Sequence, residues 1–361
     1  MDVRRGLWTV GRAVTMIGIA LVVTWLAMPS PIGSLAWIPS PAPALDGPYR
    51  MNTALQSTVA RFAQLGGAQD VAFDARGQLV TGLADGRIVR LEGERVIELA
   101  NTGGRPLGLA FSPTDGSLYV ADGERGLLRV DPTTGTVELV VDAAEGSRFG
   151  CPNEVAVARD GVVYFTDGSS VWRCDQLLED LLDQRPTGRV VRFDPRTQTT
   201  TVLARELHVA NGLALMPDDR SLIVGETGRY RLWRLFLDGE KRNLKEVFVE
   251  NLPGLPDKLS VSPRGTIWVA MASARKRLLD AVHPHPFLKD AIVTLPLWLR
   301  PRLVRWGFVV ELDGDGQPIR SLQDPDGQVV PHVSSAVERD GVLWLGRYDG
   351  SGLLSVAVSP P

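Results

Sequence analysis

One cassette, repeated six times, constrains this chain more than any other feature of its sequence. Its clearest copy is Cys151–Asp167, CPNEVAVARDGVVYFTD: a short apolar strand, a tight turn at Asp160-Gly161, and a second strand. Val155 and Val157, then Val162 and Tyr164, alternate as residues of a pleated strand do. The other copies are Gln69–Gly82, Leu107–Asp122, Asn211–Thr227, Asp257–Met271 and Ser334–Gly346. Most are followed by a third strand and a charged turn, as in GRIVRLEGE, GLLRVDPTTG and GRVVRFDPRTQ. Val71, Leu109, Val155, Leu213 and Leu259 hold equivalent places, spaced by 38, 46, 58 and 46 residues. Repetition at roughly 40–50 residues, with about four strands per unit, is the signature of a β-propeller. The expected fold is therefore all-β, a six-bladed β-propeller. The alternative is a β-sandwich with coincidental turns, but a sandwich does not repeat strand, turn, strand and strand six times.

The last unit shows only three strands, Val333–Val337, Val342–Leu345 and Leu353–Val358. A propeller must close its ring, so Ser57–Ala63, ahead of the first cassette, is the candidate for the missing strand. The step from Leu259 to Ser335 is 76 residues and must hold an insertion. Two loops between second and third strands, about 168–187 and 273–305, are long enough to be lids, and both rise from one face. The first has helical spacing at Leu178, Leu181 and Leu182. In the second, Arg300, Arg302 and Arg305 flank Leu297, Trp298 and Leu299. That pattern suits a segment touching a membrane interface, and equally a lid packed on the propeller.

The N-terminus is a separate matter. Ala13–Met28 carries no charge, Arg4, Arg5 and Arg12 precede it, and no charge follows until Asp46. This fits one membrane-spanning helix of about 20 residues with its basic end in the cytoplasm. A cleaved signal peptide is the rival. Its small-residue site, Ala42-Pro43-Ala44, lies far beyond the apolar run and contains proline, which favours an uncleaved anchor. The expected organisation is an anchor over 1–28, an extended Pro-rich tether over 29–56, and the propeller over 57–361 on the extracytoplasmic side. Export permits a disulfide. Cys151 precedes the first strand of the third unit and Cys174 follows its second, which is the same end of an up-and-down blade. Two free, partly buried thiols are the alternative. The net charge of −3 gives no reason to expect nucleic acid.

Gln69, Asn153, Asn211 and Asp257 stand at the same point of their cassettes, just ahead of the strands expected to line the central channel. One such residue is usually a turn residue. Four oxygen side chains aimed at one axis suit a hard cation such as calcium. No Cys/His cluster has zinc spacing.

The segments TGLADGRIVRL, GRPLGLAF, VVYFTDGSS, RPTGRVVRFDP, ANGLAL, ENLPGLPDKL, RSLQDPDG and ERDGVLWLG, in this order, resemble the calcium-dependent six-bladed propeller superfamily of gluconolactonases and paraoxonases. The likeness is strongest to its strictosidine synthase-like branch, that of the adipocyte plasma membrane-associated proteins. It runs from about Gly66 to Val358, and the N-terminal anchor resembles that branch too. The resemblance implies a catalytic calcium held by Glu, Asn, Asn and Asp. Asn153, Asn211 and Asp257 match three of these places, and Gln69 stands where the family has Glu. Lys258 stands where Asn is common, and Leu107 where paraoxonases carry a histidine. The resemblance also makes Asp70 and Glu154 candidates for a second, deeper cation; their other role would be hydrogen bonding across the channel. His208 and His332, ahead of inner strands, are candidates for the channel mouth.

The implied function is a membrane-anchored, calcium-dependent hydrolase of lactones or aryl esters, with Asp257 as metal-bound base or nucleophile. The apolar lid points to a small hydrophobic substrate. The alternative is a catalytically degenerate, membrane-tethered propeller that acts as a binding or scaffold protein, since fold does not fix function. Strictosidine synthesis itself is a poor third, because a family label does not transfer that condensation.

Overall fold

Each cassette folds into the two inner strands of a four-stranded antiparallel sheet, and six such sheets form the ring. The computed structural model describes residues 14–18, 24–25, 28–62, 64–347 and 352–359. Blade three shows the pattern in full: Pro152–Val157 innermost, then Val163–Asp167, Gly188–Asp194 and Thr199–Leu207 outermost.

The core lies between blades rather than inside one sheet. Along Ile267–Ala274, Ile267 and Val269 pack toward blade four with Ile223 and Leu232. Trp268 and Ala270 pack the other way, toward blade six with Ala336 and Leu343. Both faces of the strand are buried, which is why its sequence reads as a continuous apolar run instead of alternating with polar residues. The same division repeats at every blade junction.

The ring closes as expected. Val59–Arg61 pairs antiparallel with Leu353–Ala357, Val59 opposite Ser355 and Arg61 opposite Leu353, and so forms the outermost strand of blade six. Just ahead of it, Leu55 is fully buried in the apolar cluster between blades five and six.

Both long loops carry helices. The first holds α1, Leu177–Asp183. The second holds α2, Arg277–Val282, and α3, Pro286–Val293, followed by a 3-10 turn at Leu297–Leu299. Proline at the first helical position of α3 lacks only an N–H that would have gone unpaired. These elements share their own small core: Trp172, Leu182, Leu279, Val282 and Val293, together with Ile32. The outer side of the second loop is apolar and open: Leu297 is 77% exposed, Trp298 72% and Phe287 60%.

Ile32 shows that the Pro-rich stretch is no free spacer. It is extended, as its composition suggested, but docked. Leu35 N–H donates to the Asp183 carbonyl at 2.8 Å and Trp37 N–H to the His283 carbonyl at 3.1 Å. Ser34 Oγ donates to Asp290 Oδ1 at 2.8 Å. Trp37 packs on Tyr230 and His283. The stretch is a strap that crosses the lids before it supplies the closing strand.

The expected spanning helix over 1–28, with Arg4, Arg5 and Arg12, lies largely outside the described residues. Within it Val14–Gly18 is helical and exposed. Among the described residues no helix is long and apolar enough to cross a membrane.

Candidate functional site

The inner strands begin earlier than the sequence reading placed them, and this matters for the site. Asn153, Asn211 and Asp257 do not precede their strands but lie inside them, each at a register break. Pro152 faces Asp167 and Val155 faces Phe165, so Asn153 and Glu154 together oppose the single residue Thr166. Ala210 faces Glu226 and Leu213 faces Val224, which doubles Asn211 and Gly212 against Gly225. Pro256 and Leu259 bracket Asp257 and Lys258 in the same way. Such bulges re-aim side chains and recur beside active sites. Here each one presents two consecutive residues to the channel, an upper and a lower one.

The upper residues line one cavity of about 300 Å³: Gln69, Asn153, Asn211 and Asp257 all contribute to its wall. Their backbones are held by hydroxyl groups. Ser334 Oγ donates to the Gln69 carbonyl at 2.7 Å, Thr166 Oγ1 to that of Asn211 at 2.6 Å, and Thr227 Oγ1 to that of Pro256 at 2.5 Å. Acidic residues ending the second strands fix the loops that lead in. Asp167 accepts from the Gly150 and Cys151 amides and from Arg189 Nε. Burial still pushes its carboxyl up to about 6.

The donor set fits an oxygen-seeking cation. The upper ring brings three amide side chains and one carboxylate to the cavity wall, and Asn211 Oδ1 is buried without a hydrogen-bond partner among the described residues. A buried acceptor left unpaired is costly, and a metal ion is one thing that satisfies it.

The lower residues form a different arrangement. Lys258 Nζ crosses from blade five to donate to Glu154 Oε2 at 3.0 Å and to the Asn153 carbonyl at 2.9 Å. Asp70 Oδ2 accepts from the Leu109 amide at 2.9 Å. Burial disfavours charge on all three groups. It raises Asp70 and, with Asp70 nearby, brings Glu154 up to about 8. On Lys258 burial works downward, but the facing carboxylates outweigh it and hold the ammonium charged. The pair singled out for a second cation, Asp70 and Glu154, thus already faces one.

Cys151 and Cys174 form a disulfide at the rim of the cavity. It ties the loop leading to α1 to the start of the inner strand of blade three. His208 does not line the cavity. Its Nδ1 lies 2.7 Å from Glu226 Oε1 and its Nε2 2.7 Å from an Arg229 guanidinium nitrogen, so both ring nitrogens are committed to structure. His283, in the second lid, is buried against Trp37, and burial with nearby cations lowers it to about 3.

Asp180 and Arg105 are among the cavity residues that escaped the sequence reading. Asp180, on α1, is nearly buried in the wall. Burial first, then the neighbouring Asp183, raise its carboxyl to about 7, against a hydrogen bond from Ser169. Arg105 also lines the cavity, and its Nη1 is buried without a partner among the described residues. Neither stands at a repeated cassette position, so periodicity could not find them. Beyond Asp175 and Leu177 the cavity adjoins a second hollow of about 280 Å³ beneath the lids, with Leu178, Leu181, Leu279 and Leu303 in its wall.

Comparison with known proteins agrees with this architecture. The family profile described as "Strictosidine synthase" matches residues 153–240, and "Strictosidine synthase-like, N-terminal" matches 47–91. Adipocyte plasma membrane-associated protein of Salmo salar is 36% identical over 365 residues, covering 94% of this chain and 87% of that protein. Protein STRICTOSIDINE SYNTHASE-LIKE 6 of Arabidopsis thaliana is 35% identical over 298 residues, covering 80% and 78%. A solved gluconolactonase from Xanthomonas campestris superimposes with a TM-score of 0.61 at 20% identity, covering 92% of this chain and 99% of that one. A calcium-binding regucalcin from Agrobacterium tumefaciens gives 0.57 at 16% identity, covering 83% and 91%; both share the fold. The chain belongs to the strictosidine synthase-like family, in the branch of the adipocyte plasma membrane-associated proteins.

Proposed function

We propose that this chain is a membrane-anchored, calcium-dependent hydrolase of apolar lactones or aryl esters. The observation that carries the reading is the upper ring: four oxygen side chains on one cavity, with Asn211 Oδ1 unpaired among the described residues. Gln69, Asn153, Asn211 and Asp257 would hold the ion. Calcium bound there would polarise the substrate carbonyl and stabilise the charge that develops on its oxygen. Asp257 would take the proton of the attacking water. Asp180, with a carboxyl near neutrality, suits the return of a proton to the leaving oxygen. Arg105, in the cavity wall, would pair with the carboxylate product. The leucine-lined hollow under the lids fits the apolar part of the substrate.

The membrane half of the reading rests on direction. The strap docks on the lids, so its first described stretch, from Met28 onward, lies at the lid face. Leu297, Trp298 and Phe287 are exposed on those lids, with Arg300 and Arg302 close by. An anchored propeller would thus hold its apolar hollow toward the bilayer, on the extracytoplasmic side. Relatives named for plasma-membrane association support this.

The second reading, a degenerate binding or scaffold propeller, draws on Gln69 and on the ammonium of Lys258 below the ring. Calcium titration beside a panel of lactones and aryl esters separates the two. Hydrolysis that rises with calcium and vanishes with chelator is expected. Tight calcium binding without turnover of any member would favour the binding protein. Protease added to intact cells or spheroplasts should remove the propeller; full protection inside spheroplasts would reject the topology.

A further inference from the structure

We propose that the Lys258 ammonium occupies the deep cation position of the channel, so that no divalent ion sits there. The residues that follow Gln69, Leu107, Asn153, Asn211, Asp257 and Ser334, one from each blade, make a second layer: Asp70, Gly108, Glu154, Gly212, Lys258 and Ser335. Charged and small residues alternate around it. The charged side chains come from blades one, three and five, and the small ones from blades two, four and six.

The alternation is steric. A Cβ on Gly108 would lie 2.7 Å from the Glu154 Cα and 2.8 Å from its Oε1. A Cβ on Gly212 would lie 2.8 Å from the Lys258 Cα and 2.1 Å from the Asp257 carbonyl. Only glycine lets the charged residues of the adjoining blades close in. The three charged residues are sealed from water, with 6% of Asp70, 5% of Glu154 and 2% of Lys258 exposed.

Within this layer the ammonium does what a metal would do. It bridges a carboxylate oxygen of Glu154 and the main-chain carbonyl of Asn153, two hard oxygen donors from one blade. Asp70 faces it and spends Oδ2 on the Leu109 amide. A divalent ion seated between Asp70 and Glu154 would have to expel Lys258 from both acceptors. It would also leave two like charges in contact where water cannot screen them. The upper ring, one residue back along the chain at each position, is untouched by this, and its Asn211 Oδ1 has no hydrogen-bond partner among the described residues.

The test counts calcium ions per chain by mass spectrometry after equilibrium dialysis against calcium chloride, for the full-length protein and for Lys258→Asn. Asparagine removes the ammonium but keeps an oxygen donor. The variant should hold one ion more than the wild type. Counts of one and two support both this inference and a calcium in the upper ring. Counts of zero and one support the inference while removing that upper calcium. Two ions on the wild type overturn it, and so does a folded variant that gains none. If Lys258→Asn folds only with calcium present, the calcium dependence of its refolding is the gained site. If calcium fails to restore its fold while Glu154→Gln/Lys258→Met folds, calcium cannot replace the ammonium and the inference falls. If neither variant folds, the wild-type count decides alone.

Discussion

At the scale of single residues, the upper ring places its charge on Asp257, with amides at the other three positions. The residues of the ring therefore make unequal predictions. Asp257→Asn removes the ring's carboxylate and the base together, and turnover should fall to background in the lactone and aryl-ester assay. A calcium-independent, active Asp257→Asn enzyme would refute the mechanism. Gln69→Glu adds a second carboxylate, and ligand charge count tunes calcium affinity. Its dissociation constant for calcium, read by titration calorimetry, should drop on the order of tenfold. These four positions were legible because they recur at one offset in their cassettes. The bulges were not legible, since an extra residue in a strand leaves no composition signature. Without them, Glu154 reads as a candidate ligand of a deeper cation and Lys258 as a departure from the family's asparagine, not as the two halves of one ion pair. The alternation of charged and small residues below the ring was open to view in the sequence, yet it acquires meaning only when the blades are arranged in a circle.

At the scale of elements, α1 links the lid to the cavity through Asp180. Its carboxyl is raised from 3.8 to about 7 in the folded chain by burial and by Asp183. A raised acid binds its proton more tightly when folded, so its contribution to stability is full below the unfolded value and is lost as pH rises through about 7. Asp180→Asn removes that loss. The melting temperature of the variant should gain on the wild type progressively from about pH 4 to about pH 7 and then level off. A pH-independent difference between the two proteins would mean that Asp180 does not titrate in this window. The helical spacing of Leu178, Leu181 and Leu182 announced the helix, but not which acidic residue it would turn into the cavity. That depends on how the loop sits, and the Cys151–Cys174 bridge and the strap set it. Proline content alone reads the strap as a spacer; its packing contacts come from Ile32 and Trp37, apolar residues that fall into no strand or helix period.

At the scale of the whole molecule, the first and last strands of the propeller meet in blade six. Val59–Arg61 closes the ring from outside, and this strand is itself exposed along its length. Its hold on the propeller therefore depends on what lies just before it. Leu55 is that residue: it is fully buried among Val330, Val333, Leu354 and Val356, in the cluster that joins blades five and six. Asn52 and Gln56 add hydrogen bonds to the outer strand of blade five, through the Ser321 carbonyl and Asp324 Oδ1. The strap is thus pinned across a blade junction, and loosening it opens the ring at its seam. Truncation of a buried leucine costs about 2–5 kcal/mol. Leu55→Ala should lose stability of that order in urea denaturation, and amides of Val59–Arg61 and Leu353–Ala357 should exchange hydrogen faster than those of blade three. Equal protection of all blades in the variant, or a urea midpoint matching the wild type, would show that the closing strand holds without its leucine.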